Sequence, residues 1–164
     1  DFCLSRGLGD VYKRQVSLRY FNVYGPRQAY GPYSGVITIF INRLLEGRPP
    51  IIYGDGEQTR DFTHIQDVVE ANMLAAETDS AVGEVFNIAT GKPATINELC
   101  SMLLKITGRM DLSPEHTGPR PGDIKHSYAD TTKARETLGY RPRVSLEQGL
   151  VQLTEWFSAR SKKN

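Results

Sequence analysis

Two arginines stand where a side chain could hold an anion. Arg60 closes the run Tyr53-Gly54-Asp55-Gly56-Glu57-Gln58-Thr59-Arg60, and Arg120 opens Arg120-Pro121-Gly122-Asp123-Ile124. Glycine lets a backbone come close to a ligand, and proline stiffens the chain that carries the side chain. The guanidinium is planar, permanently charged and able to make paired, charge-assisted hydrogen bonds to phosphate oxygens. The chemistry on offer is anchorage of an anion. The competing reading for each arginine is a solvated ion pair, with Asp61 or Asp123 as partner, worth about 0–1 kcal/mol.

Other reactive side chains give less. His64 titrates near neutrality, but its place before an apolar helical run marks it as a tie between loop and helix. His116 and His126 have no metal-ligand spacing with carboxylates, so no metal site is expected. Gly7-Leu8-Gly9-Asp10 is half of a dinucleotide fingerprint, yet it follows no clear strand and opens no glycine-rich turn into a helix.

The elements that must position these residues are legible from period and punctuation. Val16 to Phe21 alternates and is rich in β-formers, which predicts a strand ended by Gly25-Pro26. A loop with Gly31-Pro32 leads to a helix over 35–46, with Val36, Phe40 and Leu44 on one line and Ile37, Ile41 and Leu45 on the next. Gly47 and Pro49-Pro50 stop it. Ile51 to Tyr53 is a short strand, Gly54-Asp55-Gly56 a tight turn, and Asp61 to Ile65 another extended piece. Ile65, Val68, Val69, Met73 and Ala76 are expected to line one helical face. Glu84 to Ala89 reads as a buried strand. Thr95-Ile96-Asn97-Glu98 is a capping box that opens a helix with Ile96, Leu99, Leu103 and Ile106 inward. Residues 109–127 read as loop, and a short helix at about 131–138 ends at Gly139. Ser145-Leu146-Glu147-Gln148 is a second capping box, with Leu146, Leu150, Leu153 and Phe157 inward. Residues 1–15 carry neither period and are read as a disordered or foreign segment, and 161–164 as a solvated tail.

Composition bounds the rest. A chain of 164 residues suits one ordinary domain. Its net charge of +1 gives no footprint for nucleic acid or an anionic membrane, so any anion must be held by a few placed cations. No apolar run approaches the roughly 20 residues that span a bilayer, and residues 1–15 lack the apolar core of a signal peptide. Cys3 and Cys100 make neither a disulfide framework nor a zinc site, which points to a cytoplasmic setting. Strands alternating with amphipathic helices indicate an α/β architecture. Three or four strands do not complete a doubly wound sheet, so the expected fold is an incomplete Rossmann-like parallel sheet with a small α/β subdomain.

Four stretches in order resemble a known family. Leu18-Arg19-Tyr20-Phe21-Asn22-Val23-Tyr24-Gly25-Pro26 comes first. Gly54-Asp55-Gly56-Glu57-Gln58-Thr59-Arg60-Asp61-Phe62-Thr63-His64 follows, then Val85-Phe86-Asn87-Ile88-Ala89 and Arg120-Pro121-Gly122-Asp123. Together they make residues 16–160 similar to the C-terminal half of the NAD-dependent epimerase/dehydratase family of extended short-chain dehydrogenases. The resemblance implies NAD as cofactor and a UDP-sugar as substrate. It implies that Tyr20 and Phe21 border the nicotinamide end of NAD, and that the Asn22 amide bonds the diphosphate-sugar. Val36, in the first turn of its helix, would touch the uridine, and Tyr53 would lie against the base. Arg60 and Arg120 would clamp the diphosphate. Asp123 would bond the ribose or orient Arg120, and Phe62 would pack beside the substrate. The core-aromatic reading stays open for Tyr53 and Phe62.

Within the family, Pro121 to Asp130 is most similar to UDP-hexose 4-epimerases, including those acting on N-acetylated sugars. Dehydratases and decarboxylases are the alternatives inside the family, and a non-catalytic nucleotide-sugar-binding module the alternative outside it. Complete relatives form homodimers through a helix pair that includes a tyrosine-lysine helix. That helix is not evident here, so a dimer is implied for the complete enzyme and not carried over to this chain. The family's tyrosine-lysine pair and glycine-rich loop have no counterpart either: Tyr12 precedes Lys13, and position 16 is Val16. No catalytic residue is assigned. The chain is expected to turn over no UDP-galactose with added NAD in a coupled spectrophotometric assay, and measurable turnover would refute this.

Overall fold

The structure, a computed structural model, describes residues 15–28, 31 and 34–161. Cys3, Gly7 to Gly9, Tyr12, Lys13, Pro32 and the tail at 162–164 lie outside the described residues. The elements run β1 (Ser17–Tyr20), β2 (Val23–Tyr24), α1 (Val36–Leu45), β3 (Ile51–Tyr53), β4 (Thr59–Arg60), β5 (Thr63–His64) and α2 (Ile65–Glu77). After a 3-10 turn at Asp79–Ala81 come β6 (Val85–Ile88), β7 (Ala94–Thr95), α3 (Ile96–Ile106), β8 (Glu115–Thr117), β9 (His126–Ser127), α4 (Thr132–Leu138) and α5 (Leu146–Ser161).

Parallel pairing dominates. β1 pairs with β6, Leu18 facing Phe86 and Tyr20 facing Ile88. β2 pairs with β5, β3 with β8, and β4 with β9, all parallel, while β7 adds to β4 antiparallel. Each parallel pair needs a crossover, and α1 to α3 lie within those crossovers. The α/β class expected from the sequence therefore holds. The strands form several small sheets, because most are two or three residues long.

Two apolar clusters hold the elements. One joins α1, α3 and α5 through Phe40, Ile41, Leu44, Leu99, Leu103, Leu150 and Leu153. The other joins α2, β6 and α4 through Val68, Ala71, Phe86, Ile88, Ala134 and Tyr140. Both capping boxes form. The Thr95 hydroxyl accepts from the Glu98 N–H at 3.0 Å, and Glu98 accepts from the Thr95 N–H at 2.8 Å. Ser145 and Gln148 exchange the same pair at 3.3 and 3.1 Å. Gly139 ends α4 at φ 70°, a left-handed cap that glycine adopts without strain. Among the described residues no helix is long and apolar enough to cross a membrane.

Two expectations change. The inward face of α2 is Val68, Ala71 and Ala75, whereas Val69 and Met73 are 56% and 57% exposed and Ala76 is also exposed. Small alanines let α2 approach its neighbours, and Asp67 on the same helix is buried as well, accepting from the backbone N–H groups of Arg143 at 2.8 Å and Val144 at 3.4 Å. A polar anchor of this kind overrides the larger apolar stripe. Residues 109–127 also hold strands, β8 and β9, where only loop was expected. Their side chains are mostly exposed, so they carry no apolar alternation, and backbone pairing to β3 and β4 defines them.

Leu99→Ala is expected to cost about 2–5 kcal/mol in urea denaturation. Val69→Ser and Met73→Ser should each stay within about 0.5 kcal/mol. A loss above about 1 kcal/mol for either serine variant would show that this face of α2 is packed.

Candidate functional site

Asn22 turns the chain between β1 and β2 at φ 35°, a conformation asparagine tolerates better than most side chains. Its Nδ2 donates to the Asp61 carbonyl at 3.3 Å, and its own carbonyl accepts from the Thr63 N–H at 3.3 Å. Asp61 is fully buried. Its carboxylate accepts from the Thr90 N–H at 2.9 Å, the Thr90 hydroxyl at 2.5 Å and the Gly91 N–H at 2.9 Å. Asp61 is therefore not the ion partner of Arg60, as the competing reading of the sequence had it. Arg60 reaches across to the loop before β9, where its Nη2 donates to Asp123 Oδ1 at 2.5 Å. That loop turns at Gly122, φ 78°, with the Asp123 N–H donating to the Arg120 carbonyl at 3.1 Å.

These tethers bring one set of side chains together. A cavity of about 310 Å³ is lined by Asn22, Val36, Tyr53, Arg60, Phe62, Arg120 and Asp123. All seven substrate-side residues expected from the sequence thus share a single lining. Phe62 is buried and meets Tyr24 edge to face at 6.4 Å, whereas Tyr53 is 48% exposed at the end of β3. The two residues expected to border NAD lie elsewhere. Tyr20 bonds Asn72 Oδ1 through its hydroxyl at 3.0 Å and lines a separate hollow with Val16 and Leu18. Phe21 is half-buried beside the end of β6, its N–H donating to the Ile88 carbonyl at 3.2 Å.

Sequence reasoning passed over Gln28 and Gln58, which also line the cavity. Gln58 donates from Nε2 to the Tyr53 carbonyl at 2.9 Å. The Gln28 amide oxygen is buried with no hydrogen-bond partner among the described residues. A buried acceptor left unpaired costs about 1–3 kcal/mol, so it marks a place where a ligand donor would be welcome. The available signal was a polar side chain just past the Gly25-Pro26 turn.

His64 does not line this cavity. It caps α2, its Nδ1 accepting from the Gln66 N–H at 3.3 Å, which leaves the ring proton of the neutral form on Nε2. Cys100 is buried and its thiol is pushed up to about 11 by desolvation, so it is inert at neutral pH. Among the described residues no cluster of histidine, cysteine, aspartate or glutamate could hold a metal ion. No strand among them passes through a tight glycine-rich turn into a helix N-terminus either. The described residues thus offer no cradle for a dinucleotide pyrophosphate.

Parallel strands crossed by helices bring two arginines and two aromatic side chains to the lining of one cavity in an α/β fold. Comparison with known proteins gives the lineage. The model of the NAD dependent epimerase/dehydratase family matches residues 9–89. A UDP-glucose 4-epimerase of Mycolicibacterium smegmatis is 40% identical over 86% of this chain and 44% of its own length. A UDP-N-acetyl-alpha-D-glucosaminuronate decarboxylase of Bacillus cytotoxicus is 39% identical over 85% of this chain and 45% of its own. The crystal structure of a UDP-glucose 4-epimerase from Thermotoga maritima with UDP-glucose superposes with a TM-score of 0.83 at 49% identity, covering 88% of this chain and 46% of that one. The chain belongs to the NAD dependent epimerase/dehydratase family. It spans less than half the length of each of these relatives.

Burial holds the His64 imidazole below its ordinary value, with partial opposition from nearby Asp67. A histidine depressed in the folded state stabilises the fold above its unfolded pKa of about 6.5 and loses that contribution as pH falls. The thermal midpoint should drop between pH 7.5 and 5.5. His64→Asn, which keeps a helix-capping side chain, should flatten the drop. An equal drop in the variant would remove His64 from the explanation.

Proposed function

We propose that residues 16–160 form the nucleotide-sugar-binding part of an NAD-dependent UDP-hexose 4-epimerase. The observation that carries this reading is the convergence of Asn22, Val36, Tyr53, Arg60, Phe62, Arg120 and Asp123 on one cavity. The flat faces of Tyr53 and Phe62 suit a base and a sugar ring, and Arg60 and Arg120 suit the two phosphates between them. The Asn22 amide, held by its own backbone bonds to the 61–63 segment, serves the sugar end. Removal and return of the C4 hydride, for which NAD is the acceptor, belongs to the whole protein. What this chain contributes is anchorage. A 4-keto sugar must turn over in its pocket while the nucleotide stays fixed, and two arginines, one on β4 and one on the loop before β9, supply a fixed point.

The decarboxylase relative from Bacillus cytotoxicus, as similar as the epimerase, favours a second reading in which the same anchor serves decarboxylation of a UDP-uronate. Product analysis on the whole protein separates the two, since the epimerase returns a hexose of unchanged mass and the decarboxylase releases carbon dioxide.

Titration of this chain with UDP in a calorimeter should show binding. Arg60→Ala and Arg120→Ala should each weaken it roughly tenfold or more, the worth of a charge-assisted hydrogen bond, while leaving affinity for uridine nearly unchanged. UDP affinity unaffected by both substitutions would rule out this cavity as the diphosphate site.

A further inference from the structure

The turn between β3 and β4 is held from outside the cavity. Asn97, the second residue of α3, donates from Nδ2 to the Asp55 carbonyl at 2.9 Å and to Glu57 Oε1 at 2.6 Å. Its backbone N–H donates to the Gly56 carbonyl at 3.1 Å, and the Ile96 N–H donates to the Gln58 carbonyl at 3.2 Å. Gly56 is buried at φ 76°, and a Cβ there would fall on the Asn97 amide. Residues 55–58 are thus stapled to the start of α3 by four hydrogen bonds. This turn is the covalent link between Tyr53 and Arg60, and Gln58 within it reaches back to the Tyr53 carbonyl. Three cavity-lining side chains therefore take their spacing from a turn whose geometry Asn97 sets, although Asn97 itself is not part of the lining.

We infer that Asn97 is a positioning residue for nucleotide binding, acting through the 54–57 turn to hold Tyr53, Gln58 and Arg60 at one separation. The inference rests on the reading of the cavity as a UDP site. The position calls for a short side chain that donates twice. Aspartate has the same shape but no donor, and it sets a carboxylate against the Asp55 carbonyl and the Glu57 carboxylate. At the second position of a helix an acidic side chain is itself favourable, because it meets the positive end of the helix dipole. Asn97→Asp therefore removes the two side-chain bonds of the staple while leaving α3 and its two backbone bonds intact, which separates positioning from folding. In that background Glu57→Gln supplies an amide that donates to the new carboxylate, so the link re-forms with donor and acceptor exchanged.

The test is calorimetric titration of the full 164-residue chain with UDP, alongside the thermal midpoint. Asn97→Asp should bind UDP about tenfold more weakly, the sum of two modest hydrogen bonds. Its midpoint should stay within about 3 °C of the unsubstituted chain, and Asn97→Asp with Glu57→Gln should recover part of the affinity, since one of the two side-chain links re-forms. Unchanged UDP affinity in Asn97→Asp, with Arg120→Ala weakened, overturns the inference and leaves the UDP site standing. Weakening that Glu57→Gln does not relieve overturns it too, since the effect then does not pass through the turn. If Arg120→Ala binds UDP as the unsubstituted chain does, the site reading itself fails and this inference falls with it.

Discussion

The site depends on one buried carboxylate. Asp61 lies between Arg60 and Phe62, fully enclosed, and has no cation for a partner among the described residues. Three donors from Thr90 and Gly91 satisfy it instead. Its backbone does two more things: the N–H donates to the Ser127 carbonyl at 2.9 Å, and the carbonyl accepts the Asn22 amide. One residue thus ties together the β1–β2 bend, the loop after β6 and strand β9. A charge removed from water in this way is tolerable only when its donors are fixed in advance. The positions of Asn22, Arg60 and Phe62 follow from that requirement. The motif Arg-Asp-Phe reads in the structure as a cavity-lining cation, an internal anchor and a wall.

Asp67, in the first turn of α2, repeats the device. Its carboxylate accepts from the backbone of Arg143 and Val144 just ahead of α5. Both acids hold loops by bonding N–H groups, so neither leaves a trace in charge pairing or apolar period. That is why the helices were legible from local pattern and their docking was not. The capping boxes at Thr95 and Ser145, and the stripes through Leu99 and Leu153, are local signals read over a few residues. The inward face of α2, by contrast, is chosen by a partner 76 positions away in the Asp67–Arg143 contact. Val69 and Met73 looked like core because nothing local said otherwise.

The cavity shows the same division. Its seven expected members come from three motif stretches and one helix start, and the structure brings all of them to one lining. Gln28 and Gln58 were missed because glutamine has neither charge nor period to mark it. β8 and β9 escaped for a related reason. Strands with exposed, polar side chains are visible only once their partners β3 and β4 are in place. The loop between them carries Arg120 and Asp123, so the half of the site hardest to place from local pattern is the half that closes over the arginine of β4.

The Arg60–Asp123 pair has a consequence for what can enter. The arginine of the cavity already holds an anion, a carboxylate supplied by its own chain at 2.5 Å. An incoming acid that seeks the same Nη2 donor competes with a built-in substitute. A lone carboxylate offers the guanidinium what Asp123 already gives, and gains little from the exchange. A group with more negative charge and more acceptor oxygens wins it, all the more with Arg120 on the same wall. On the proposed reading of the cavity, the pair sets a threshold of charge that a visitor has to exceed.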